Sequence, residues 1–294
     1  MIKFRAHISE RFLGWIEGAI FISVLLAFLL MAAQPMLSKE ENSKIGDKCE
    51  ETGVTIQISS SSVKTSIEPY TYSDRLDLQH VVIEEGIEEI GEYAFLGCKN
   101  LESISLPASL KVIGEGAFRD CAKLKALVIP QGVEKIPDYM CTWDTNLEKV
   151  LIPETVTDIG KNAFAYCENL KEIDFPEDLL HIGPNAFSDC KALREISLPD
   201  SIQELESYAF SGCEKLKKAK LPSNSNMLGE LIFTGCENLE TVICMSPDPP
   251  TFDCNSPLFD PLEEQLWLKC RLQVPETSKS LYLEAPGWKL FYCD

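Results

Sequence analysis

The stretch LREISLPDSIQELESYAFSGCEK, residues 193–215, decides the fold, because its pattern returns along the chain at a fixed interval. Its first residue belongs to a series of leucines spaced 23 residues apart: Leu78, Leu101, Leu124, Leu147, Leu170, Leu193, Leu216 and Leu239. A period of roughly 20 to 29 residues, with apolar residues at set places, marks stacked coils that bury a core only against their neighbours. The sequence therefore predicts a solenoid, and we expect its function to lie on its surfaces.

Each coil is named here by the leucine that begins it, and its positions are numbered from that leucine as position 1. Apolar residues at positions 1, 4 and 6 form the inward side of a short strand. Proline at position 7 ends that strand in most coils, because it fixes φ and supplies no ladder donor. Strands one coil apart pair in parallel. We expect a β-rich leucine-rich-repeat solenoid with few helices, whose concave face is a parallel sheet of about eight short strands.

The rest of each coil is expected to return along the convex side. Ala-Phe pairs at positions 17 and 18, such as Ala186-Phe187, predict an internal ladder of aromatic rings. At position 14, glycine follows isoleucine at Gly91, Gly114, Gly160 and Gly183, and Pro137 occupies the same position. Since proline cannot take a positive φ, we expect a close backbone approach or a tight turn there.

The first 33 residues differ from the rest of the chain, because a basic leader precedes an uncharged, mainly apolar run over residues 19–33. Such a run is typical of a signal peptide, whose core is shorter than the ~20 residues needed to span a bilayer. A retained N-terminal membrane anchor remains the alternative. In either case the basic flank stays in the cytoplasm, so the sequence predicts that the repeats are exported.

The chain then divides by composition and by the strength of the repeat. Residues 34–49 are a polar linker, 50–77 a degenerate N-terminal cap repeat, 78–244 the leucine-rich repeats and 245–294 a C-terminal cap. Within that last segment, residues 268–275 are predicted to contain a final strand and residues 278–283 a short helix.

The net charge of −19 argues against nucleic acid as a partner, since a strongly acidic body is repelled by phosphate backbones and anionic membrane surfaces. Contact with a membrane is expected only through the N-terminal segment.

The unit LESISLPASLKVIGEGAFRDC, residues 101–121, resembles the BspA-like (Treponema-type) leucine-rich repeat, and the resemblance covers residues 78–244. The closing segment over residues 272–288 is similar to the terminal element of such proteins in the Bacteroides group. The resemblance implies an exported or cell-surface protein that mediates protein–protein binding, because some members are adhesins for host matrix proteins or other bacteria. The alternative is a structural or spacer protein of the cell envelope without a dedicated ligand.

Residues that could carry chemistry do not form a recognisable site, and we expect no catalytic, cofactor or metal site. The histidines His7, His80 and His181 accompany no paired histidine or carboxylate spacing. The chain also lacks a Gly-x-Ser-x-Gly motif and a phosphate-cradling glycine loop. The sequence therefore favours a protein that is not an enzyme.

The cysteines fall into two groups. Those at position 21 (Cys98, Cys121, Cys167, Cys190, Cys213 and Cys236) are expected to be buried free thiols, because parallel Cβ vectors on neighbouring coils suit a disulfide poorly. The others (Cys49, Cys244, Cys254, Cys270 and Cys293) crowd mainly into the C-terminal cap, where an exported chain could form disulfides. Their pairing stays open.

Positions 3 and 5 of each strand are expected to point outward. There, Ala126, Val128 and Leu151 predict an apolar patch bordered by Lys149, Glu172 and Asp174. Apolar patches rimmed by polar residues are candidate protein-binding sites. The alternative is that these side chains only support the sheet.

The Leu124 coil breaks the repeat: Met140-Cys141 replaces Ala-Phe, and Asp144 takes the cysteine position. Loss of a core phenylalanine predicts a void unless Trp143 folds inward. Alternatively, the solenoid bends locally at this coil, or Trp143 is exposed and anchors a ligand, since aromatic residues are enriched in that role.

Overall fold

The computed structural model describes residues 54–60, 65–224, 227–252, 269–289 and 291–293. The predictions for residues 1–33 and 34–49, and for Cys49 and Cys254, lie outside the described residues. In chain order, the strands are β1 (Val54–Ile58), β2 (Ser66–Ile67), β3 (Leu78–Ile83), β4 (Glu89–Ile90), β5 (Ser103–Ser105), β6 (Val112–Ile113), β7 (Ala126–Val128), β8 (Lys135–Ile136), β9 (Lys149–Leu151), β10 (Asp158–Ile159), β11 (His181–Ile182), β12 (Glu195–Ser197), β13 (Glu204–Leu205), β14 (Lys218–Leu221), β15 (Met227–Leu228), β16 (Thr241–Cys244), β17 (Thr251–Phe252), β18 (Arg271–Gln273) and β19 (Tyr292–Cys293).

Parallel strands at positions 3–5 stack from coil to coil and confirm the predicted solenoid of about eight turns. We call the outward side of these strands the strand face. In β7, Leu127 is buried while Ala126 and Val128 are exposed, which is the expected alternation. The paired ladders are β1-β3-β5, β7-β9 and β12-β14-β16-β18-β19, so the predicted single sheet is divided.

The Leu170 coil differs from the prediction, because its residues 172–174, although described, form no strand. Position 6 is Phe175 in this coil, where sister coils have leucine or isoleucine, and its ring packs edge-on against Phe187 at 5.6 Å. The hydrogen bond from Lys171 N to Glu148 O is 3.4 Å, whereas the equivalent bond one coil earlier, from Glu148 N to Lys125 O, is 2.8 Å. We attribute the break between β9 and β12 to this larger side chain, which holds the strand away from both neighbours.

A second set of short parallel strands occupies positions 12–13 and forms the ladders β2-β4-β6, β8-β10-β11-β13 and β15-β17. The glycines at position 14 follow these strands, and none of Gly91, Gly114, Gly160 and Gly183 lies in the left-handed region. A Cβ on Gly114 would stand 2.5 Å from the backbone nitrogen of Glu92 in the preceding coil. The predicted close backbone approach is therefore confirmed.

The third side of each coil, at positions 15–21, is the turn face. Its backbone N–H groups donate to the following coil, as in Tyr93 N to Glu115 O at 2.7 Å and Phe95 N to Ala117 O at 2.8 Å. Two residues per coil, at positions 16 and 20, have positive φ. Because of this positive φ, the side chains at positions 16 and 20 do not follow the alternating directions of side chains in an extended strand.

The core between the three sides is a column of phenylalanine rings with a column of thiols beside it. Phe187 stacks on Phe164 and on Phe210, each with ring centroids 5.2 Å apart, and is fully buried. All six position-21 cysteines are buried thiols outside any disulfide, as predicted. Each thiol donates to the carbonyl at position 18 of the preceding coil, for example Cys190 Sγ to Phe164 O at 3.3 Å. Burial raises the pKa of Cys190 well above its ordinary value, so this thiol stays protonated.

The C-terminal segment contains the predicted final strand as β18 and the predicted short helix as α1 (Lys279–Glu284), which is the only α-helix in the described residues. Trp288 is buried there and donates from Nε1 to Pro250 O at 2.8 Å. Cys244 and Cys270 are also buried and free. No helix in the described part of the chain is long and apolar enough to cross a membrane.

Candidate functional site

The strand face brings the predicted apolar residues together. Ala126 pairs with Lys149 and Val128 with Leu151 in the parallel ladder of β7 and β9. Val128 is 57% exposed, Ala126 is exposed, and Leu151 is half-buried. We call Ala126, Val128 and Leu151 the strand-face patch. Exposure of valine and leucine side chains to water on adjacent strands is unfavourable, and a partner that covers them lowers the free energy.

The polar border of this patch lies where the sequence places it. Lys149 is half-buried beside Ala126. Glu172 and Asp174 are exposed in the next coil, on the segment that forms no strand. Their side chains thus supply negative charge on one side of the strand-face patch, while Lys149 supplies positive charge within it.

Trp143 does not join the strand-face patch, because position 20 lies on the turn face. It is 44% exposed, so the expectation that it folds inward to replace the missing phenylalanine is wrong. Its indole instead stacks on the ring of Tyr166, with centroids 3.9 Å apart and planes within 1° of parallel. Met140, at the alanine position, and Cys141, at the phenylalanine position, are fully buried in the core.

The backbone explains why Trp143 stays outside. The φ of Trp143 is +72° and that of Tyr166 is +62°, whereas other coils have glycine or aspartate at position 20, as at Gly97 and Asp120. A left-handed conformation costs a residue with a Cβ roughly 1–2 kcal/mol. Bulky residues in this region are uncommon and often mark functional sites.

A row of aromatic residues on the turn face was missed in the sequence. It comprises Tyr70, Tyr93, Tyr139 and Tyr208 at position 16, with Trp143 and Tyr166 at position 20. The signal was available as tyrosine recurring at a fixed position outside the core pattern. The guanidinium of Arg119 lies 5.7 Å from the centre of the Tyr139 ring, and Lys161 Nζ lies 5.8 Å from it. These cation–π contacts hold charged side chains beside the aromatic row.

Tyr93, a member of this aromatic row, is hydrogen-bonded to the next coil. Its hydroxyl donates to Glu115 of the next coil, and this bond, with burial and the carboxylate charge, raises the pKa of Tyr93 to about 12. The phenol therefore remains neutral at physiological pH.

Asp144 is the most unusual polar group in the core. It is fully buried, and its Oδ1 accepts a hydrogen bond from Cys121 N at 2.7 Å. Among the described residues, Oδ2 finds no hydrogen-bond partner. Burial, with a smaller contribution from the charge of Asp120, raises the pKa of Asp144 well above its ordinary value. The carboxyl group is therefore a neutral acid in the folded state over a wider pH range than an exposed aspartate.

The histidines make local contacts. His80 Nδ1 lies 2.8 Å from Ser103 Oγ on the strand face, and His181 Nδ1 lies 2.9 Å from Asp158 Oδ1 on the second set of strands. Partial burial alone would raise the pKa of Asp158, but hydrogen bonds from Thr157 and His181 lower it overall. Over the described residues, no group of three or more His, Cys, Asp or Glu side chains is arranged to hold a metal ion.

Comparison with known families gives a match over most of the solenoid. The family described as the BspA type leucine rich repeat region matches in six copies, over residues 65–190 and 139–248. No curated protein sequence matches the chain.

Solved structures similar to this chain include bacterial leucine-rich-repeat proteins. The Treponema pallidum leucine rich repeat protein is 28% identical, with 65% of this chain and 80% of that one covered and a TM-score of 0.46. A leucine rich cell surface protein from Faecalibacterium prausnitzii is 22% identical, with coverages of 64% and 72% and a TM-score of 0.34. The pneumococcal vaccine antigen PcpA is 21% identical, with coverages of 81% and 78% and a TM-score of 0.37.

Proposed function

Since this chain belongs to the BspA-type leucine-rich repeat family, we propose that it is an exported or cell-surface protein that binds another protein, in the manner of an adhesin. The observation that carries the proposal is the strand-face patch, in which Val128 is 57% exposed beside Leu151 and within a polar border. Solenoids present extended surfaces of this kind to their partners. The protein is proposed to be non-enzymatic, as its repeat family and fold typically are.

Export is proposed to depend on the basic, apolar segment over residues 1–33, which either is cleaved as a signal peptide or remains as an anchor. Residues 34–49 then serve as a polar linker to the repeats, with residues 50–77 and 245–294 as caps. N-terminal sequencing of the secreted or cell-bound protein tests this organisation: a mature protein that still begins at Met1 and fractionates with the cytosol would contradict export.

Charge introduced into the strand-face patch is expected to abolish protein capture. The double variant Val128→Asp, Leu151→Asp should bind at least about tenfold more weakly than the wild type to immobilised host matrix proteins or intact bacterial cells. The reason is that two carboxylates would have to lose their water at the interface centre, and each 1.4 kcal/mol is about tenfold in affinity. Solid-phase binding with the exported body of the protein measures the effect.

Val112→Asp is the matched control, since Val112 is 50% exposed but lies on β6, in the other set of strands. It should leave capture unchanged, and circular dichroism should show that all variants are folded. Equal capture by the double variant and the wild type would exclude the strand face as the binding surface. A wild-type protein that captures neither class of target would act as a spacer of the cell envelope.

A further inference from the structure

The indole of Trp143 has one covered face and one open face. Tyr166, in the following coil, stacks against the first. On the side of the preceding coil, the indole lines a shallow groove together with Leu96, Arg119, Asp120, Ala122 and Thr145. The turn face therefore presents a flat aromatic surface that has no ring stacked on it within the described residues of the preceding coil.

The groove exists because of the residues at position 20 in the two preceding coils. These are Asp120, with a short side chain, and Gly97, with none. Coils repeat at about 4.8 Å, so the space from the level of the Trp143 ring to that of Gly97 is roughly 10 Å along the solenoid axis. A six-membered ring placed against the indole would lie level with Asp120, whose carboxylate would meet the edge of that ring.

The polar groups around the groove are of both signs. Asp120 offers carboxylate oxygens and forms an ion pair with Lys99 at 3.2 Å. Arg119 offers guanidinium N–H donors and is held by its contact with the Tyr139 ring. Thr145 adds a hydroxyl group that can both donate and accept. Such a rim does not select for a charged ligand, since a cation meets Arg119 and an anion meets Asp120.

We propose that the Trp143 groove binds a neutral saccharide, with a pyranose ring stacked on the open face of the indole. A pyranose has an apolar face of C–H groups and an edge of hydroxyl groups. The apolar face matches the indole, while vicinal hydroxyls match the acceptor Asp120 and the donor Arg119. An apolar peptide side chain would cover the indole but would offer no new hydrogen-bond partner to the Asp120 carboxylate or the Arg119 guanidinium as they lose water.

The backbone supports a dedicated role for this pair of rings. Glycine would satisfy the positive φ at position 20 without strain, as Gly97, Gly212 and Gly235 do in other coils. Trp143 and Tyr166 adopt this φ at a conformational cost, and their stack fixes the orientation of the indole. A platform fixed before binding loses little side-chain freedom on binding.

The saccharide site is distinct from the proposed protein-binding strand face, so the two can be tested separately. The full exported protein is screened on an array of defined neutral, acidic and amino-containing oligosaccharides, and the best disaccharide is titrated by isothermal calorimetry. We expect neutral glycans to be bound, and Trp143→Gly to weaken the titrated disaccharide at least about tenfold. Glycine suits the φ of this residue, so the variant should fold.

Tyr208→Gly is the matched control, because it also removes an aromatic ring from a positive-φ position on the turn face, three coils away. It should leave the disaccharide affinity unchanged, and Asp120→Asn should reduce it. The strand-face double variant should keep glycan binding, and Trp143→Gly should keep protein capture. The proposal is overturned if no neutral glycan binds, if Trp143→Gly binds as the wild type does, or if only charged glycans or peptides occupy the groove.

Discussion

Replacing Phe187 by alanine is expected to lower the free energy of unfolding by about 3–5 kcal/mol. Phe187 is fully buried and is stacked on Phe164 and Phe210, with Phe175 edge-on to it. The substitution removes the transfer free energy of the ring and leaves a space that three neighbouring rings cannot fill without moving. Urea denaturation followed by circular dichroism measures the effect.

Phe175→Leu is the control for this prediction, since leucine or isoleucine occupies position 6 in other coils. It alters the same cluster but keeps an aliphatic side chain, and we expect a loss below about 1.5 kcal/mol. If Phe187→Ala costs no more than Phe175→Leu, the stacked rings are not the main source of core stability.

The core could be predicted because its residues repeat for a physical reason. A solenoid coil contacts only its neighbours, so the same inward position needs a similar side chain in every coil. Leu193, Phe187 and Cys190 each represent such a position, and all three are buried as predicted. The interruption of the sheet at residues 172–174 could not be predicted in the same way. It depends on how far one larger side chain, Phe175, displaces a strand, which is a matter of packing.

The candidate sites were predicted unevenly. Strand alternation was enough to place Val128 and Leu151 on one face, because a strand has a period of two. The sequence singled out Trp143 as a candidate ligand anchor but did not show on which face it lies. Its outward position depends on the positive φ at position 20. Only the comparison of that position across coils, where glycine and aspartate are common, could have indicated an outward side chain. Whether the strand-face patch or the Trp143 groove binds a ligand remains a prediction.

Asp144 occupies position 21 of the Leu124 coil, where other coils have a cysteine. In the other coils a thiol at position 21 donates to the carbonyl at position 18 of the preceding coil, as Cys121 does to Phe95 O. A protonated carboxyl group can donate in the same way, but a carboxylate cannot. The raised pKa of Asp144, caused mainly by burial, means that the folded protein retains this proton after the unfolded chain has released it.

The contribution of Asp144 to the stability of the protein should therefore fall as pH rises above about 4, the ordinary pKa of aspartate. Between that pH and the raised pKa of Asp144, the folded state binds one proton more than the unfolded state. Each pH unit in this window costs about 1.4 kcal/mol. Asp144→Asn resembles the protonated form and lacks this dependence, so its advantage over the wild type should be small at about pH 4 and should grow as pH rises through this window.

Urea denaturation of both proteins at several pH values tests this, because the titration of all other groups cancels in the difference. Asp120→Asn is the control: Asp120 belongs to the preceding coil and is half-exposed in an ion pair with Lys99, so its replacement should change stability by less than about 1 kcal/mol. Asp144→Cys, which restores the thiol of the other coils, should also stabilise the protein at pH 7. A constant difference between Asp144→Asn and the wild type across this pH range would mean that Asp144 is ionised in the fold, and the thiol column would then contain a buried carboxylate held by Cys121 N–H.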